Sequence, residues 1–513
     1  MSPYWPDVYI LPSHPSITCI DRFSLIESPN DTGEDPPFWQ LFITLLDTPV
    51  TSIPALLDVL ETIAIERRGK APQDYNTLAS ILRAREAAFL NVLWPAIANS
   101  ALAMPNLFPS HSLPILGERT AKLELSRKQV ACLVAHQFLG TLEEVPWQTG
   151  FHIFELWFAG EQVHARAPEV YIDSVLGYFG GIAEGDEDEG QEWKVSYEVV
   201  ERSPCASASF SPFPARPGSQ ETDMGDISLL HMDGATNAPE YLGAGGNAVV
   251  VSANKFIGFG RSATQEEVLV GTTPAACPAV LVTPPLAAAQ VLVVRGAETI
   301  TRTVGMAREM RGCGPHKVYS AKVWRERAML FMDALELDSF DGSIYPDVER
   351  ANVEREMEKA TTAFSSAKYS RVYTGLWGCR TFGGDPGVKI TILWLAASVA
   401  ASGLTVMYED GREGFAESMG RFVELIDCEA TCDSKEWPVS FSYAFLNAVY
   451  FMPSYFVTPI LAVPTPDITS ALTSSLCRNR NRPRRQPAPL TPPAACASYL
   501  ARSSSVPGPG DQG

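Results

Sequence analysis

Between about residues 40 and 180, apolar positions recur at intervals of three and four, the spacing of one helical face. The pattern predicts helices in PALLDVLETIAIERR, YNTLASILRAREAAFLNVLWPAIANSAL, LSRKQVACLVAHQFLGTL and APEVYIDSVLGYFGGI. Ser126 is placed to cap the third of these and Gly140 to end it. His136 falls inside that apolar pattern and reads as a packing residue. Two polar inserts follow. The acidic run EGDEDEGQE, Glu184 to Glu192, reads as a solvated loop, and ASASFSPFPARPGSQETDMGD reads as a flexible insert.

Beyond them the period shortens. ISLLHMDG, NAVVVSANKF, EEVLVG, AVLVTPP, QVLVVRGAETI, AMLFMDALELD, YSRVYTGLW and LTVMY read as β-rich segments, with helices in VEREMEKATTAFSSA and VKITILWLAASVAASG. Apolar strands alternating with helices predict an α/β domain whose sheet is covered on both faces, with ligands held beyond the strand ends. The charge-free run from Ile390 to Tyr408 reads as a buried helix and a buried strand, since Gly403 separates a helical pattern from LTVMY. A second such run, Trp437 to Pro466, is interrupted by Pro438, Pro453, Pro459 and Pro464, so no membrane span is expected in either. Past about residue 465 the chain is rich in Pro, Ser, Ala and Arg without periodicity, and is expected to be disordered. Its RNRNRPRR run is open to reading as a nuclear-import signal. The expected organisation is a helical region over 1–195, an α/β domain over 196–465 and a tail over 466–513.

Charge narrows the partners. A formal net charge of -19 argues against general binding to DNA or RNA, which needs many Lys and Arg against phosphates. Ten cysteines run from Cys19 to Cys496, and the closest pair, Cys428 and Cys432, has no second pair to complete a zinc site. Free thiols in a reducing compartment are the expectation, and the start MSPYWPDVYILPSHP lacks the pattern of a signal peptide. Neither a metal nor a cofactor is expected.

The stretch GFGRSATQEE carries the candidate chemistry. A Gly-x-Gly turn, Gly258 to Gly260, allows backbone N–H groups to approach a ligand. Glu266 and Glu267 follow, and if the segment is extended they point to opposite sides. Asn254 and Gln265 keep them company. The second loop, TGLWGCRTFGGDPG, joins Phe382, Gly383 and Gly384 to Asp385 and Pro386, the cap and first position of the next helix. Glycines just before that helix are suited to an anion.

VSANKFIGFGRSATQEEVLVG and TGLWGCRTFGGD together resemble the two signature loops of the poly(ADP-ribose) glycohydrolase family, over a likeness spanning roughly residues 90 to 410. The resemblance implies a macrodomain-like fold, a mixed sheet between helical layers preceded by a mostly helical N-terminal region. It implies hydrolysis of the ribose–ribose O-glycosidic bonds of poly(ADP-ribose), carried on modified proteins, to release ADP-ribose. Carried over by position, Glu267 is the general acid and base, Glu266 holds ribose hydroxyls, and Asn254 and Gln265 shape the pocket. Gly258, Gly260, Gly383 and Gly384 enclose the diphosphate, and Phe382 packs against the distal ribose or the diphosphate region. Such chemistry needs a protonated leaving group and a stabilised oxocarbenium-like centre. The protein is expected to be a monomer inside the cell, in nucleus or cytoplasm. The chain departs from the pattern at Phe259, where the family has a glycine, at Val251, where it has an aspartate, and at Arg380 and Thr381. Arg261 and Arg380 are expected to offset the altered loops by charged contacts to the diphosphate. The alternative is a macrodomain that binds ADP-ribose or its polymer with little hydrolysis.

Overall fold

The three-and-four spacing of the N-terminal half does form helices: Phe38–Asp47, Ile53–Arg68, Asn76–Arg83, Trp94–Leu102, Arg127–Leu139 and Arg166–Glu184. Ser126 caps Arg127–Leu139 through a reciprocal box with Gln129, and Gly140 closes it at φ +70. His136 is fully buried in this helix, with Nδ1 2.6 Å from Thr141 and Nε2 3.1 Å from the Ala101 carbonyl. Burial pulls its pKa down to about 3, so it packs as a neutral ring. The computed structural model describes residues 5–423, apart from 27–34, 163, 165, 186–192, 203–224, 233–237, 306–308, 317–320, 340–345, 380, 410–411, 415, 418 and 421–422. Most of the acidic run, nearly all of the second polar insert, the run from Trp437, the tail and Arg380 therefore lie outside the described residues.

Strands β1 (Val8–Ile10) and β2 (Ser112–Pro114) pair antiparallel in a small ladder. The main sheet takes β3 (Lys122–Ser126), β4 (Lys194–Glu201), β5 (Ile227–His231), β6 (Ala248–Ala253) and β7 (Gln290–Arg295). A separate hairpin follows, β8 (Thr301–Val304) with β9 (Arg311–Pro315). The main sheet is completed by β10 (Ala328–Asp333), β11 (Arg371–Thr374) and β12 (Gly403–Tyr408). Its spatial order is β3-β4-β7-β10-β6-β11-β12-β5. From β10 to β5 the neighbours run parallel, while β3, β4 and β7 join antiparallel, so the sheet is mixed.

Alternate side chains divide the sheet between two cores. Val249, Val251, Leu292, Val294, Met329 and Phe331 face the core built with the N-terminal helices. Val250, Val291, Val293, Leu330 and Met332 face helices Arg350–Phe364 and Pro386–Val399. The helical region is thus one cover of the sheet, sharing its core, and it donates β3 to the sheet edge. Ile390 to Tyr408 forms the buried helix and strand expected of it, and no helix among the described residues is long and apolar enough to cross a membrane.

Two segments differ from the sequence reading. EEVLVG lies in helix Gln265–Gly271 and AVLV forms a short helix, Ala279–Val282. Both are apolar runs buried in the core, where strand and helix share one signature and the caps decide. Thr264 and Glu267 form a capping box that starts the first, and Pro278 precedes the second.

Candidate active site

Three loops leave the carboxyl ends of neighbouring parallel strands β6, β11 and β12, and the candidate residues gather there. Because Gln265–Gly271 is a helix, Glu266 and Glu267 diverge by a helical step instead of by the pleat of a strand. Glu266 turns inward. Its Oε2 accepts the Asn254 N–H at 3.0 Å and its Oε1 the Gly258 N–H at 3.5 Å. Burial pushes its pKa up to about 8, against the pull of those two N–H groups and with a smaller push from Glu267. A carboxyl group there is neutral at pH 7.

Glu267 is partly exposed. Its Oε2 accepts the Ser262 N–H at 2.7 Å and the Thr264 N–H at 3.0 Å, while the Thr264 hydroxyl accepts the Glu267 N–H. Oε1 lies against Gly260, where a Cβ would collide with it. The glycine is required by this approach and not by its φ; the left-handed residue of the loop is Ala263, at φ +56.

Gln265 lines the cleft and also serves the fold. Its Oε1 accepts the Ser252 N–H at 2.7 Å and its Nε2 donates to the Val250 carbonyl at 2.8 Å, tying the helix to β6. Asn254 folds its own loop, Oδ1 accepting the Phe256 N–H. Val251 is fully buried on β6, in the N-terminal core. Phe259 is 1% exposed, its ring packed against Phe154 and Trp157, and the Trp157 indole donates to the Gly260 carbonyl at 2.8 Å. The departure at this position is therefore an anchor from loop to helical region.

In the second loop Asp385 caps Pro386–Val399 by accepting the Val388 N–H, as expected, with Pro386 at the first position. Gly383 sits at φ +70, and Gly384 donates to the Gly378 carbonyl so closely that any side chain would meet that carbonyl and Lys389. Phe382 is partly buried and lines a cleft. Under the loop runs a buried ion network. Lys389 pairs with Glu356 at 2.9 Å, Arg355 joins Glu356 to Asp333, and Lys359 meets Asp333 at 2.6 Å. Lys359 also donates to the carbonyls of Ala287 and Gln290, and burial draws its pKa down to about 8.

Glu266 and Glu267 line two clefts. One, of about 370 Å³, lies between them and Phe382, Tyr408 and Arg412. The other, of about 470 Å³, lies between them and Trp147, Gln148 and Phe151. The sequence reading found the glycine loops and missed both outer walls. Tyr408 ends β12 and Arg412 lies four residues beyond it, a position that flags them. Trp147 to Phe151 sits in a turn of the helical region with no motif of its own. Arg261 is exposed on the first loop. Among the described residues no cluster of three metal-ligating side chains occurs.

A mixed sheet between helical layers, with glycine loops at the ends of its parallel strands, defines a macrodomain fold joined to a helical domain. Two profiles match in sequence: the helical domain of poly(ADP-ribose) glycohydrolase over residues 81–198, and its macro-fold domain over 239–412. Together they cover more than half of the chain, which belongs to the poly(ADP-ribose) glycohydrolase family, a family of glycosidic hydrolases. Similar solved structures include the poly(ADP-ribose) glycohydrolase of Thermomonospora curvata, at 14% identity and TM-score 0.25, covering 41% of this chain and 78% of that one. Another is the Deinococcus radiodurans poly(ADP-ribose) glycohydrolase in complex with ADP-ribose, at 13% identity and TM-score 0.28, covering 40% of this chain and 86% of that one.

Proposed function

We propose that this protein hydrolyses the ribose–ribose O-glycosidic bonds of poly(ADP-ribose) on modified proteins and releases ADP-ribose. The observation that carries the reading is the placement of the glutamates: Glu266 turned inward with its pKa raised by burial, and Glu267 partly exposed beside it, both lining two clefts. Glycoside cleavage requires a carboxyl group that protonates the leaving oxygen and a neighbour that holds the reacting sugar. Neutral Glu266 donates a hydrogen bond to a ribose hydroxyl. Glu267, with Oε2 held by the loop and Oε1 uncommitted, acts first as the carboxylic acid, passing its proton to the departing ribose oxygen as the glycosidic C–O bond breaks, and then as the carboxylate, taking a proton from the water that bonds to the anomeric carbon. The glycines of both loops bring backbone close to the diphosphate, and Arg261 and Arg412 supply positive charge nearby.

The test is release of free ADP-ribose from purified poly(ADP-ribose) by the protein and by Glu267→Gln. Release by the first, with a loss of about 100-fold or more in the variant, supports the glycosidase and its acid. No release by either, with ADP-ribose bound by both, makes the protein a binding module.

A further inference from the structure

Trp157, in the helical region, is fully buried, and its indole meets three other rings. Phe154 stacks on it with centroids 4.5 Å apart and planes 11° from parallel, while Phe259 lies at 5.1 Å and Tyr171 at 5.2 Å. Close packing of this kind leaves the ring one orientation. Its single donor meets the Gly260 carbonyl at 2.8 Å. Gly260 belongs to no helix or strand, and its carbonyl has no other hydrogen-bond partner among the described residues.

The bond acts on the loop that encloses Glu267. Gly260 lies against Oε1 of Glu267 with no room for a methyl group between them, and the N–H groups of Ser262 and Thr264 hold Oε2. One carboxyl oxygen is bounded by Gly260 and the other is held by the residues just after it, so the position of the Gly260 peptide sets the position of the carboxyl. Tyr171 braces the far end of the same helix. Its ring fills the space beside Gly271, the last residue of Gln265–Gly271, where a methyl group would collide with it. A clamped indole thus reaches across 103 residues of sequence to a loop that has a phenylalanine where the family pattern has a glycine. Removing its N–H would leave a buried carbonyl unpaired, which favours rearrangement of the loop.

We propose that Trp157 is a positioning residue for the reaction: its indole N–H holds the Gly260 peptide, and through it the Glu267 carboxyl, where a proton can reach the departing ribose oxygen. The inference rests on the glycosidase reading above. It gives the helical region a part in turnover besides its part in the core.

Two replacements in the full-length chain test it. Trp157→Phe keeps an aromatic ring and removes the donor. Replacing Trp157 by benzothienylalanine, through codon reassignment, keeps the shape of the indole and carries sulfur in place of the N–H, which separates the hydrogen bond from the packing. With purified poly(ADP-ribose), both should lower kcat by up to about 100-fold, the scale of a misplaced reacting group, while KM and the affinity for ADP-ribose hold. Amide hydrogen exchange at Ser262 and Thr264, followed by NMR, should be faster in both than in the wild type. Unchanged kcat or unchanged exchange in the benzothienyl protein overturns the proposal, whatever Trp157→Phe does. So does a loss shared equally between kcat and ADP-ribose affinity, which marks a general loosening of the site. If the wild type itself releases no ADP-ribose, the glycosidase reading fails instead, and the exchange rates decide whether Trp157 holds the loop around Glu267.

Discussion

Phe259 meets Phe154 edge to face, ring centroids 5.2 Å apart, and so fastens the first glycine loop to the helical region. Where the family pattern has a glycine, this chain has a core residue, and the loop's shape depends on a contact between segments more than 100 residues apart. Phe259→Ala should cost roughly 3–5 kcal/mol of stability, the usual range for a buried phenylalanine. Urea unfolding checks it; a cost below 1 kcal/mol would place the ring outside the core.

Gly260 is required by the closeness of Glu267. A methyl group at this position collides with Oε1, the carboxyl oxygen free of the capping box, and must push it aside. Gly260→Ala should lower ADP-ribose release by about 100-fold, the scale of a misplaced reacting group. Its circular dichroism should stay close to that of the wild type, and unchanged activity would show that Glu267 is not held where the chemistry needs it.

Glu266 makes both function and stability depend on pH. The folded protein holds a proton up to about pH 8 that the unfolded chain releases near 4.5, so this group's contribution is greatest below pH 4.5 and is lost as pH rises towards 8. Glu266→Gln, a neutral mimic, should flatten that part of the Tm profile between pH 5 and 8. ADP-ribose affinity in the wild type should fall above about pH 8, where an ionised Glu266 repels the diphosphate. A wild-type affinity independent of pH from 6 to 9 would remove Glu266 from the binding site.

Lys359 has no exposed side-chain surface and joins Asp333 to two backbone carbonyls. Lys359→Met leaves Asp333 with Arg355 alone and strands the carbonyls of Ala287 and Gln290. A loss of about 3–5 kcal/mol is expected, as for one partner removed from a buried ion pair. Thermal unfolding of Lys359→Met beside Asp333→Asn checks it, and similar losses in both would mark the network as one unit.

Much of the site was legible because the signals are local. Ser126 with Gln129, and Asp385 before Pro386, are caps that act within one turn and could be read by spacing alone. The same kind of signal, Thr264 three residues before Glu267, marks Gln265–Gly271 as a helix and outranks the β-branched look of EEVLVG. Gln265 shows the opposite case. It lines the cleft beside the glutamates, but its amide is also taken by the backbone of β6, and nothing in the local sequence says that β6 lies within reach.

By itself the sequence determined most of the helices and of the central strands, the two glycine loops and the pairing of Glu266 with Glu267, since periodicity, caps and glycine placement depend on neighbours a few residues away. Only the tertiary structure decided which glutamate is buried, which way Phe259 turns and that Trp147 lines the same cleft as Asn254. Those follow from burial and from strand order, and both arise when crossovers bring segments far apart in the chain into one core.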